Sequence, residues 1–73
     1  MNRGKILRRF GSNVRSLRHE LGLSQEELAA RANAHRNYVG GVERGERNPT
    51  LMSIVAFSKG LGVTPARLLE DLF

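Results

Sequence analysis

The run from Ser24 to Gly45, SQEELAARANAHRNYVGGVERG, holds two helix starts and two helix stops in close succession, which leaves few ways to fold it. Ser24 with Glu27 three residues later forms a capping box. The hydroxyl and the carboxylate each satisfy a backbone N–H that a new helix leaves unpaired, so a helix starts at Gln25. Leu28, Ala29 and Ala32 then share one face, and the small Ala29 lets a second helix approach closely. Asn33 ends the run, because asparagine tolerates the left-handed backbone of a sharp turn. A second helix is expected from about Arg36 to Arg44, with Val39 and Val42 inward and Gly45 just past its end. Its other face carries Arg36, Asn37, Gly40 and Gly41.

Two helices at this spacing make a helix-turn-helix, whose second helix enters the major groove of DNA. The segments Gly22-Leu23-Ser24-Gln25, Glu27-Leu28-Ala29, Tyr38-Val39 and Val42-Glu43-Arg44-Gly45 resemble the Xre family, which includes the Cro proteins and repressors of lambdoid phages. The resemblance runs from Phe10 to Leu69, nearly the whole chain. It implies an all-α fold, a compact five-helix bundle of the phage-repressor type with the helix-turn-helix over residues 25–44. The small size also resembles the controller proteins of restriction-modification systems.

The flanking segments fit that expectation. Residues 1–5 read as a flexible basic arm. Ile6, Phe10, Val14, Leu17 and Leu21 then form the apolar stripe of a first helix that Gly22 ends. Gly11 interrupts this helix at a cost of up to about 1 kcal/mol relative to alanine, and the family commonly places glycine there. Beyond the turn at Glu46-Arg47-Asn48-Pro49, Thr50 caps a fourth helix whose inward face is Leu51, Ile54, Phe57, Ser58 and Leu61. Thr64 and Pro65 open a fifth, with Leu68 and Leu72 on one side.

Seventy-three residues make one domain, residues 1–73, and the absence of cysteine removes disulfides and thiolate metal sites. No apolar run approaches the roughly 20 residues that span a bilayer, and no apolar segment follows the basic amino terminus, so a cytoplasmic protein is expected. The net charge of +5 suits a polyanionic partner. It is uneven, since Arg3, Lys5, Arg8, Arg9, Arg15 and Arg18 all precede the first acidic residue, Glu20. Neither paired carboxylates, a nucleophile beside a base, nor a phosphate-cradling glycine loop is present, so no enzyme activity, cofactor, metal or small-molecule substrate is expected.

Function therefore rests on the helix-turn-helix. Arg36 and Asn37, in the first exposed turn of the second helix, are expected to contact bases: arginine pairs with guanine O6 and N7, asparagine with adenine N6 and N7. The resemblance places Gly41 where relatives often carry a longer reader. There the backbone approaches DNA more closely, a thymine methyl packs against it, or the base goes unread. The resemblance also assigns phosphate contacts to Gln25, Tyr38, Arg44, Arg47 and Asn48, with partial packing as the alternative for Tyr38. It implies a half-buried structural ion pair between Arg18 and Glu43. His35 departs from the serine or threonine that relatives place at this cap, and is expected to cap poorly.

One domain reads only a few base pairs, so a homodimer on a palindromic double-stranded operator is expected, with Met52, Val55, Leu69 and Phe73 as its apolar interface. The resulting expectation is a sequence-specific transcriptional regulator. The same fold also occurs in antitoxin-like proteins whose main task is binding a partner protein, and that alternative stays open.

Overall fold

Asn2 starts the first helix, its side-chain oxygen accepting the Lys5 N–H at 2.9 Å. The structure, a computed structural model, describes residues 2–73. Its elements are α1 (Arg3–Glu20), α2 (Gln25–Arg31), α3 (Arg36–Glu43), α4 (Leu51–Leu61) and α5 (Pro65–Leu68). Residues 3–5, expected in a flexible arm, are helical because Asn2 supplies a cap that the apolar periodicity does not reveal. Met1 lies outside the described residues.

The helix-turn-helix forms as its caps dictate. Ser24 Oγ accepts the Glu27 N–H at 3.0 Å while Glu27 Oε1 accepts the Ser24 N–H at 2.9 Å. Those bonds hold the Glu27 carboxyl below the usual carboxylate range, the backbone N–H of Ser24 being the larger cause. Asn33 turns the chain with φ of 52°, and the Ala34 N–H reaches back to the Ala29 carbonyl at 2.8 Å. His35 then caps α3 in practice: its Nδ1 accepts the Asn37 N–H at 3.1 Å, so a neutral imidazole does what serine or threonine would do. This corrects the expectation that His35 caps poorly. Arg44 is the C-terminal cap of α3 rather than its last helical residue.

One core joins all five helices. It comprises Phe10, Val14 and Leu17 of α1, Leu28 and Ala29 of α2 with Ala32 at its C-terminal cap, Val39 and Val42 of α3, Phe57 and Leu61 of α4, and Leu68 of α5. Three members of the expected apolar stripes stand outside it, of which Ile6, in the first turns of α1, is half-buried. Leu21 is 50% exposed because α1 has already ended at Glu20, and Leu51 is 75% exposed in the first turn of α4. α5 is a single turn, so Leu72 packs on the core from the irregular tail rather than from a helix. That tail is tied to α1 by Asn13, whose Nδ2 donates to the carbonyls of Leu68 at 2.9 Å and Glu70 at 2.8 Å.

Gly11 has a packing reason. A Cβ placed there would lie 2.7 Å from the Glu43 carbonyl oxygen and nearer still to that of Val42, so α1 and α3 cross backbone to backbone at this residue. The crossing fixes the tilt of α3.

Candidate nucleic-acid interface

Three helices converge on the Glu43 carboxylate at the buried end of α3. Arg18 meets it in two parallel hydrogen bonds, Nε to Oε2 at 2.7 Å and Nη2 to Oε1 at 2.9 Å. The third guanidinium nitrogen, Nη1, donates to the Leu23 carbonyl at 2.8 Å. The Glu43 hydrogen bond raises the Arg18 guanidinium further above its ordinary value, outweighing the opposing effect of burial. Gln25 Nε2 also donates to Glu43 Oε1, at 3.1 Å. The glutamine expected at a phosphate is thus steered from below by the ion pair, which aligns the start of α2 with α3.

The outward face of α3 is open. Gln25, Arg36, Asn37, Gly40 and Arg44 line one shallow depression on it. Arg36 lies 3.7 Å from Glu26 and Arg44 lies 3.1 Å from Glu46, and all four side chains are largely exposed. Exposed pairs of this kind contribute between about 0 and 1 kcal/mol, so both guanidinium groups are available to a stronger anionic or base partner.

Gly40 and Gly41 leave space that arginines from beyond the helix end occupy. A Cβ on Gly40 would stand 3.0 Å from Arg44 Nη1, and one on Gly41 would stand 2.7 Å from Arg47 Cγ. Both glycines are therefore covered rather than bare. The Arg47 guanidinium in turn lies 5.1 Å from the centroid of the Tyr38 ring, a cation–π arrangement. Tyr38 shows the partial packing considered for it. Its ring stacks on Phe57 at 6.0 Å, and its hydroxyl stays half-buried at the surface, donating to Ser53 Oγ at 3.1 Å. Ser53 also accepts from Thr50 Oγ1 at 3.1 Å. Sequence reasoning gives Ser53 no part, and only its position three residues after a capping threonine marks it.

Asn48 sits apart from this depression, sharing a hollow with Arg3, Ile6 and Leu7 of α1. The apolar residues expected at a dimer interface lie elsewhere. Met52 is 72% exposed on α4, Val55 is half-buried, and Leu69 and Phe73 are 43% and 98% exposed at the tail.

The helix-turn-helix family model matches residues 14–68. The chain belongs to that family. Within it, the control protein C.MunI of a Mycoplasma species is 41% identical over 73 residues, covering 99% of this chain and 96% of that protein. The restriction-modification controller protein C.AhdI of Aeromonas hydrophila superposes with a TM-score of 0.84 at 47% identity, over 85% of this chain and 94% of that one. The controller protein C.Esp1396I, as a tetramer in complex with its natural 35 base-pair operator, superposes with a TM-score of 0.82 at 36% identity, over 92% and 88%. This chain is thus a helix-turn-helix transcriptional regulator of the controller-protein type.

Proposed function

We propose that this protein binds a palindromic DNA operator as a homodimer, with α3 in the major groove, and regulates transcription within a restriction-modification system. The observation that carries this reading is the open face of α3, where Arg36 and Asn37 stand exposed beside Gln25 and Arg44 with only weak competing partners. Arg36 and Asn37 read base edges. Gln25, Arg44, Arg47, Asn48 and the Tyr38 hydroxyl hold phosphates, and Gly41 leaves room for the Arg47 stem that crosses it. The operator-bound tetramer of C.Esp1396I supports assembly of several copies on one site. The protein acts by binding, without catalysis.

Selection of bound duplexes from a random DNA pool tests the reading. A palindromic winner should bind about 10³-fold or more tighter than a scrambled duplex. Arg36→Ala should then weaken operator binding by about 10- to 100-fold, and the effect should concentrate at one guanine position, since a bidentate arginine–guanine pair carries about 1 to 3 kcal/mol of discrimination. Equal weakening on the scrambled duplex would remove Arg36 from the bases and leave it on phosphates.

The homodimer reading places Met52, Val55, Leu69 and Phe73 at the subunit contact. Leu69→Glu combined with Phe73→Glu should give a folded monomer in sedimentation velocity, because two charges would be buried without partners. A dimer that survives both changes rejects this surface.

A further inference from the structure

Residues 69–73 carry no regular structure, and three features of unequal weight shape them. Asp71 takes a left-handed backbone, with φ of 59°, and Leu72 after it packs against the core. The ion pair of Arg67 with Glu70, at 3.3 Å, is about half exposed on both sides and holds little. Asn13 is the strongest tie. Its side-chain amide has two hydrogens and donates both across the fold, one to the Leu68 carbonyl at 2.9 Å and one to the Glu70 carbonyl at 2.8 Å. Those carbonyls stand on either side of Leu69 in the chain, so the clamp fixes the backbone from which Leu69 projects, 43% exposed.

We infer that Asn13 is a positioning residue for assembly, holding the tail in the arrangement that presents Leu69 and Phe73 to a second copy of the chain. The inference rests on the homodimer reading above and adds a residue outside its four apolar contacts. Both amide hydrogens of Asn13 are engaged within its own protomer, so it acts through the tail. Among uncharged side chains only asparagine and glutamine carry two such donors, whereas serine and threonine carry one. Helix α1 itself gains nothing from asparagine here, since alanine is the better helix former at an interior position. A tail that is docked only part of the time weakens association in proportion, and each protomer supplies one tail, so the penalty enters twice. A docked population of about one third therefore raises the dimer Kd about 10-fold.

Sedimentation equilibrium of the full chain, without DNA, measures the dimer constant. Asn13→Ala should raise Kd by about 10-fold or more while the helical circular dichroism stays that of the wild type. Asn13→Gln keeps both donors on a stem longer by one carbon and should stay closer to the wild type than Asn13→Ala does. Ser24→Ala serves as the control for general loss of stability. It removes the capping box of α2, weakens the domain away from the tail, and should leave Kd near the wild-type value. A wild-type Kd in Asn13→Ala overturns this inference alone. So does a Kd raised as much by Ser24→Ala, or an Asn13→Ala chain that does not fold, since Asn13 then serves the fold at large. A wild-type chain that stays monomeric at every concentration overturns the homodimer reading together with it.

Discussion

Glu43→Ala is expected to lower the stability of the domain by about 3 to 5 kcal/mol, the range for breaking a buried ion pair by removing one member. The cost comes from what is left behind. Arg18 is only 8% exposed, and without the carboxylate its guanidinium would keep a single protein partner, the Leu23 carbonyl. Gln25 would lose its acceptor as well. For a domain of this size each kcal/mol moves the midpoint by about 4 to 8 °C, so thermal unfolding should shift by more than about 10 °C. An unchanged melting temperature would reject the structural role. Replacing both partners by apolar residues of similar volume, Arg18→Met with Glu43→Leu, should recover most of the stability, because no unpaired charge then remains. The pH dependence follows from the raised Arg18 value: such a group stabilises fully below its unfolded value and ceases to do so only as pH rises through the folded one. For arginine both lie beyond ordinary working pH, so the arginine's share of the pair should be flat across neutral pH.

How much of this fold can be read from the residues depends on how local each signal is. The capping box, the left-handed Asn33 and the inward Val39 and Val42 are each settled within one or two turns of chain, and the residues alone place them. Asn2 as a cap is equally local but precedes a helix with a basic, weakly patterned start, so periodicity has nothing to mark. A general cap preference misplaces His35, whose unprotonated Nδ1 offers the acceptor a cap needs. Leu21 and Leu51 continue their periodic stripes past the point where the rest of the bundle covers them. Asn13 holding the tail, Arg8 lying between two glycines, and Ser53 beneath the Tyr38 hydroxyl are contacts between distant segments with no sequence spacing of their own. At the site, the types and positions of Arg36 and Asn37 are readable, whereas the cover of Gly40 and Gly41 by later arginines emerges only in three dimensions.

The glycines of α1 and α3 give the other large effect, and it has opposite signs at two helical positions. Alanine is favoured over glycine inside a helix by about 0.8 to 1.0 kcal/mol, so propensity alone predicts stabilisation at both Gly11 and Gly40. At Gly11 the atoms in the way are backbone carbonyl oxygens of Val42 and Glu43, which cannot move unless α1 and α3 separate. Overpacking of this kind costs about 1 to 3 kcal/mol and more where the obstruction is rigid, so Gly11→Ala should be net destabilising by at least about 2 kcal/mol. At Gly40 the nearest atom is Nη1 of Arg44, the far end of a flexible and largely exposed side chain, which can swing aside. Gly40→Ala should therefore stabilise by about 0.5 to 1 kcal/mol. Urea unfolding of the two variants beside the wild type measures both. If Gly11→Ala unfolds no more easily than the wild type, the backbone crossing of α1 and α3 is not the constraint that sets α3 at its angle.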